Sequence, residues 1–231
     1  MRKHIPNTVT LLNLTAGSVG VIFLFNGNIV GASSMIFLAA VFDFFDGFLA
    51  RLLGVHSAIG KSLDSLADMI SFGLLPGLIV YSMQHELSTS GQLQGEVFAF
   101  TGLLIPVLSG LRLAIFNNDE EQKYGFRGLP TPANALFFAA AGLSFSYGRL
   151  SFIPLNHLSI LIFTVILALL LVSRLPMFAF KFQDYSIKNN VLKYAFLVSA
   201  LLLLVFFRIE GIALAVLLYI LVSVVSTLVK R

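Results

Sequence analysis

Four aspartates stand at positions 43, 46, 64 and 68, in the stretch DFFDGFLARLLGVHSAIGKSLDSLAD of an otherwise oily chain. On a helix, Asp43, Asp46, Gly47, Ala50 and Arg51 fall at offsets 0, 3, 4, 7 and 8 and share one face. Gly60, Asp64 and Asp68 fall at offsets 0, 4 and 8 and share a face of the next helix. Gly54 and the residues after it end the first helix and turn the chain. So short a connection makes the two helices antiparallel neighbours with opposed acidic faces. Carboxylates gathered there repel one another, and an aspartate inside a membrane span costs from about 2.5 kcal/mol upward. Arg51 alone cannot neutralise four anions, whereas a bound divalent metal can. An all-carboxylate set favours a hard ion such as Mg²⁺ or Mn²⁺. The chain has no cysteine, and its four histidines are scattered. Gly47 and Gly60 leave room for a ligand to lie against the backbone; the competing use of Gly47, Ala50 and Gly60 is close packing between helices. Two chemistries stay open, a metal-dependent enzyme and a divalent-cation transporter. The clustering of the acids at one depth, with Arg51 among them, favours the enzyme.

The elements that must position these residues are membrane helices. Of 231 residues 58% are hydrophobic and only 11% charged, with a mean hydropathy of +0.93, too apolar for a soluble globular domain. A span needs about 20 predominantly apolar residues. The chain divides into eight such segments, at 9–26, 29–53, 58–83, 96–116, 132–147, 155–173, 191–207 and 211–229. The predicted fold is therefore an all-α, polytopic membrane bundle of about eight transmembrane helices, in a single domain over 1–231. With the N-terminus inside and eight spans, 13 of the 15 lysines and arginines fall on the cytoplasmic side, and Arg149 and Arg208 on the other. This positive-inside bias supports cytoplasmic N- and C-termini and puts the acidic face at the cytoplasmic boundary. The N-terminal segment has the basic head of a signal peptide, but Asn7, Thr10 and Asn13 interrupt its apolar run, so it reads as a retained first helix. Pro6, Asn7, Thr10, Asn13 and Gly17 follow helical spacing along one side, which should face the bundle interior. Lys181, Lys188 and Lys193 form a basic inner loop suited to anionic headgroups. Nothing in the sequence calls for a nucleic acid.

The pattern D43-x-x-D46-G47-x-x-A50-R51-x8-G60-x-x-x-D64-x-x-x-D68 resembles the signature of the CDP-alcohol phosphatidyltransferase family at all eight fixed positions. IPNTVTLLNLTAG, SGLRLAIFN, FRGLPTPANA and SRLPMFAFK are similar to the phosphatidylserine synthase branch, with one departure at Ile115, where that branch often has an arginine. The likeness runs through most of the first 182 residues, which gives a catalytic core at about 1–182 and a remainder, 183–231, holding the last two helices.

The resemblance implies transfer of the phosphatidyl group from CDP-diacylglycerol to the hydroxyl of L-serine, releasing CMP. It implies two Mg²⁺ or Mn²⁺ ions held by Asp43, Asp46, Asp64 and Asp68, with Asp68 also the catalytic base. The CDP-diacylglycerol contacts expected on that basis are Asn7, Thr10, Asn13, Gly47, Ala50, Arg51, Gly60 and Lys61. Arg51 suits a phosphate oxygen through its planar fork, while Lys61 reads equally as a snorkelling interfacial lysine. Serine carries a carboxylate and an ammonium, so Arg112, Asn117, Lys123 and Arg127 are its candidate contacts, Arg112 doubling as a positive-inside anchor. The same chemistry with glycerol 3-phosphate or inositol phosphate remains the alternative, and would call for a tighter arginine cluster. A homodimer in the cell inner membrane, with the site facing the cytoplasm, completes the expectation.

Overall fold

The computed structural model describes residues 4–55, 57–88, 93–118, 126–148, 155–177, 186 and 190–229. The architecture is nearly all helical. Helix α1 (Ile5–Phe25) carries Pro6 in its first turn, where the missing N–H is no loss and the fixed φ favours the helix. It ends at Asn26, and Gly27 turns the chain with φ +69°. Asn28 then caps α2 (Ile29–Leu52), its Oδ1 accepting from the Gly31 N–H at 2.7 Å. The second turn repeats these devices: Gly54 adopts φ +63°, and the Ser57 hydroxyl caps α3 (Ala58–Asp68) by accepting from the Gly60 N–H at 2.9 Å. The short turn anticipated between the two acidic faces is thus formed, although α2 and α3 do not pack closely on each other: each packs on α1, and a cavity opens between them.

Helix α3 runs without a break through a π-helical turn, Met69–Leu74, into α4 (Leu75–Leu87). Pro76 lacks the N–H that would reach the Phe72 carbonyl, so the ladder re-registers just upstream of it. A similar interruption joins α5 (Leu93–Ala99) to α6 (Leu104–Asn118) through the 3-10 turn Phe100–Leu103, with Pro106 just beyond. A two-residue ribbon pairs β1 (Phe126–Arg127) with β2 (Pro176–Met177), antiparallel, Phe126 opposite Met177. Gly128, at φ +76°, leads from β1 into α7 (Thr131–Ser146). Helix α8 (His157–Leu171) is capped by Asn156, and α9 (Val191–Phe207) and α10 (Glu210–Val229) complete the chain.

Counting the two interrupted helices once each, the described residues form eight helical rods, close to the eight segments expected. Five are long and apolar enough to cross a membrane: Ile5–Phe25, Ile29–Leu52, Ala58–Leu87, Glu96–Asn118 and Glu210–Leu228. The other apolar helices, α8 and α9, are shorter. The core lies where α1, α2, α4, α7 and α8 meet, around Ile36, Phe72, Leu75, Ile79, Phe137 and Leu167. Helix α9 buries none of its side chains in the single chain.

Candidate active site

The short α2–α3 turn brings the two acidic faces together as their spacing required. Carboxylate oxygens of Asp43, Asp64 and Asp68 lie within 4.8 Å of one another. Asp68 is 8% exposed, and Asp43 sits within side-chain hydrogen-bonding reach of it. Asp46, one turn along α2 from Asp43, stands outside that triplet. It is buried, the Thr10 hydroxyl lies in reach of its side chain, and its Oδ2 has no hydrogen-bond partner. Three buried or half-buried carboxylates at this separation, with one oxygen of a fourth unpartnered beside them, form an all-oxygen donor set of the kind that holds hard divalent ions. Without a cation these charges would repel in a low-dielectric setting.

A cavity of about 530 Å³ opens beside the acids. Its walls are α1 through Asn7 and Thr10, α2 through Asp46, Gly47 and Ala50, and α3 through Gly60, Lys61 and Asp64. A Cβ added to Gly47 would meet nothing within 4 Å, so here the glycine keeps space open. Gly60 is tighter, with the Asn7 Oδ1 3.1 Å from where its Cβ would stand. The polar side of α1 faces inward as expected: Pro6, Thr10, Asn13 and Gly17 are buried. Asn13 lies deeper than the cavity wall. Its Nδ2 donates to Asp68 Oδ1 at 3.5 Å, and its carbonyl accepts from the Ser71 hydroxyl at 2.9 Å.

The cations divide. Arg51 is exposed and folds back so that its Nε donates to the Gly47 carbonyl at 2.9 Å. Lys61 lines the cavity and donates to the Asn117 carbonyl at 2.7 Å, while the Asn117 Nδ2 donates to the Ser65 hydroxyl at 2.7 Å. These two bonds clip the end of α6 to the acid-bearing α3. Arg112 is buried, and its Nη1 donates to the carbonyls of Leu171 at 2.8 Å and Arg127 at 3.2 Å. It braces the β1–α7 connection against the end of α8. Arg127 itself is exposed, and Lys123 lies outside the described residues.

Two features escaped the sequence reading. One is the π turn directly after Asp68, for which Pro76 was the available signal. The other is a pair of buried polar residues, Ser109 against that turn and Asn134 on α7, each inside a motif but carrying no charge to draw attention.

Fold and site together define a class, a helical membrane protein with a carboxylate centre at the edge of a cavity between its first three helices. The chain belongs to the CDP-alcohol phosphatidyltransferase family, whose description matches residues 3–172. It is 32% identical over 180 residues to the CDP-diacylglycerol--serine O-phosphatidyltransferase of Bacillus subtilis, taking in 78% of this chain and 92% of that one. It is 30% identical over 195 residues to the enzyme of that name from Helicobacter pylori strain 26695, covering 83% and 79%. An archaetidylserine synthase from Methanothermobacter thermautotrophicus is 31% identical over 150 residues, 64% of this chain and 61% of the archaeal protein.

Proposed function

We propose that this chain transfers the phosphatidyl group of CDP-diacylglycerol to the hydroxyl of L-serine, giving phosphatidylserine and CMP. The observation that carries the reading is the carboxylate triplet within 4.8 Å, one member of which, Asp64, lines a 530 Å³ cavity together with Asp46, on a chain whose relatives bear serine-transferase names.

Asp43, Asp46, Asp64 and Asp68 would hold two divalent ions, Mg²⁺ or Mn²⁺. Such ions, when bound, offset charge on the pyrophosphate and on the entering and leaving oxygens. The chain's own side chains then position the reactants. Asn7 and Thr10 offer hydrogen bonds to the nucleotide from α1. Gly47, Ala50 and Gly60 let it lie close to α2 and α3. The Arg51 fork, swung from the Gly47 carbonyl, reaches a phosphate oxygen, and Lys61 adds a second positive charge. Asn13 holds the Asp68 carboxylate in place. The serine oxygen bonds to the phosphorus that bears the diacylglycerol while the bond to the CMP oxygen breaks, and Asp68 accepts the hydroxyl proton. Of the serine contacts expected, Asn117 and Arg127 remain proposals, as does Lys123. Arg112 acts as a brace first, given its two carbonyl bonds.

The substrate geometry sets the depth. Two acyl chains stay in lipid while the CDP headgroup and serine arrive from water, so the reacting phosphorus belongs at the interface. The charge asymmetry of the loops makes that interface the cytoplasmic face of the inner membrane. The catalytic core is residues 1–182, and the assembly is a homodimer.

Purified protein in lipid nanodiscs, supplied with CDP-diacylglycerol, Mg²⁺ or Mn²⁺ and one acceptor at a time, tests the reading. CMP release that depends on L-serine and on metal is expected. Release with glycerol 3-phosphate or inositol phosphate but none with serine would overturn the acceptor assignment.

A further inference from the structure

Lys61, Ser65 and Asn117 close a ring of three hydrogen bonds between α3 and the end of α6. The Lys61 Nζ donates to the Asn117 carbonyl at 2.7 Å, and the Asn117 Nδ2 donates to the Ser65 hydroxyl at 2.7 Å. That hydroxyl in turn donates to the Lys61 carbonyl at 3.2 Å. Each member is where its position on a helix puts it. Lys61 and Ser65 stand four residues apart on α3 and share a face. Asn117 lies in the last turn of α6, where carbonyls have no partner within the helix. A lysine ammonium suits that end, which carries partial negative charge. Helix α6 packs on the π turn Met69–Leu74 and on α8 rather than on α3, so side chains make the link between its end and the acid-bearing helix.

The three residues differ in what they face. Lys61 lines the cavity together with Asp64, whereas Ser65 and Asn117 do not. An ammonium has three N–H donors. The Asn117 carbonyl takes one and leaves the others for a ligand. An untethered lysine head on its four-carbon stem samples many rotamers. Tied to a carbonyl, it stands at the cavity wall before a ligand arrives, and less ordering is left to be done on binding. That carbonyl is fixed only as far as the end of α6 is fixed, and the Asn117 amide fastens that end to Ser65. The single hydroxyl proton of Ser65 goes to the Lys61 carbonyl, which leaves its oxygen free to accept from Asn117.

We propose that Ser65 is a positioning residue: through Asn117 it sets where the Lys61 ammonium stands at the cavity, and thereby how tightly the chain binds the pyrophosphate of the donor. The proposal rests on the reading of this cavity as the CDP-diacylglycerol site. Ser65 neighbours Asp64 in the chain but is absent from the cavity wall, so its influence on the donor passes through the other two members of the ring. A purely structural clip would act differently. Its loss would loosen α6 from α3 whether or not residue 61 carries a charge.

Ser65→Ala, Ser65→Thr, Lys61→Met and the double variant carrying Ser65→Ala with Lys61→Met, assayed in nanodiscs with CDP-diacylglycerol, serine and metal, separate the two. Ser65→Ala should raise the CDP-diacylglycerol KM about threefold at low salt, less than Lys61→Met does, with kcat nearly unchanged. The rise should shrink as salt is added, because a charge carries it. Ser65→Thr keeps a hydroxyl that can still bond the carbonyl one turn back and should restore the wild-type KM. In the Lys61→Met background Ser65→Ala should add nothing, since the group it positions is gone. Asn117→Ala breaks the same link from the α6 side while sparing the carbonyl, and should give the same salt-sensitive rise if Ser65→Ala fails to fold. An unchanged donor KM in the folded variants overturns the proposal, and so does a Ser65→Ala effect of equal size with and without Lys61. A wild-type chain that releases no CMP from CDP-diacylglycerol with any acceptor marks the failure of the donor reading instead, and the wild-type control shows which has failed.

Discussion

Gly47 and Gly102 are both small residues in helices of the bundle, and the structure uses them in opposite ways. Around the acidic face, a side chain on Gly47 would enter open space. Where α4 meets the 3-10 turn, a Cβ on Gly77 would stand 2.7 Å from the Gly102 carbonyl, and one on Gly102 would press into the Gly77 carbonyl. The polar side chains divide similarly. Gln84, fully buried, gives both ends of its amide to His157, at 2.6 Å to the ring Nδ1 and 3.0 Å to the carbonyl. Asp46 Oδ2 and Asn13 Oδ1 have nothing. In one region backbones are in contact and the central amide is paired, although the His157 Nε2 beside it has no partner; in the other, Gly47 keeps space open next to the unpaired Asp46 Oδ2. Helices packing in lipid gain from small residues in backbone contact and from matched polar groups, so a glycine that faces open space beside an unpaired carboxylate oxygen is kept for something other than packing.

The largest effect that would test this division is on the acids. Asp68→Asn keeps the shape of the side chain and removes its charge and proton-accepting capacity. Turnover should fall by about 10²–10⁴-fold, with CDP-diacylglycerol binding partly retained and Tm little changed. Near-normal turnover would remove Asp68 from the base role. Next comes the closed region. Gly102→Val forces carbon into a backbone contact and should destabilise by about 1–3 kcal/mol or more, as overpacking does. Thermal unfolding should register it, with activity per folded molecule retained. A variant as stable as the wild type would show that the crossing is looser than its distances imply.

The opening sequence stretch carried most of the acid geometry, because three- and four-residue spacing on two helices joined by a glycine turn leaves few arrangements. Asp43, Asp64 and Asp68 meet as that spacing requires, and Gly47 faces space rather than a neighbouring helix. The eight rods were legible from runs of apolar residues. What escaped was set by tertiary contact. Arg112 looked like a free cation at the cytoplasmic boundary, but its side chain turns inward to two backbone carbonyls contributed by segments 15 and 59 residues away. Asn134 and Ser109 carry no charge and follow no period that distinguishes an unpaired group from a bonded one. The β1–β2 ribbon, two residues on each strand, is too short to leave a pattern at all.

Gly47→Leu sharpens the comparison from the open side. The Cβ has room, so stability should hold, in contrast with Gly102→Val. The branched side chain fills the cavity, and CDP-diacylglycerol should bind about tenfold more weakly, about 1.4 kcal/mol, as read by its KM. Loss of stability without loss of donor affinity would mean that Gly47 serves packing after all.

Lys61 gives the smallest effect and the finest division, because it belongs to both regions. It lines the cavity, yet its Nζ donates to the Asn117 carbonyl in the last turn of α6. A cation at a helix C-terminus contributes about 0.3–1 kcal/mol, so Lys61→Met should lower stability by no more than that. If the lysine only clips α6 to α3, the donor KM should follow this small loss and recover with Lys61→Arg to the extent that Tm does. If its charge also reaches the pyrophosphate, the KM of Lys61→Met should rise severalfold at low salt and the difference should shrink as salt is added, since an exposed charge is screened over about 10 Å at 0.1 M. The salt dependence separates the two roles because the Asn117 bond is a contact at 2.7 Å, too short for dissolved ions to intervene.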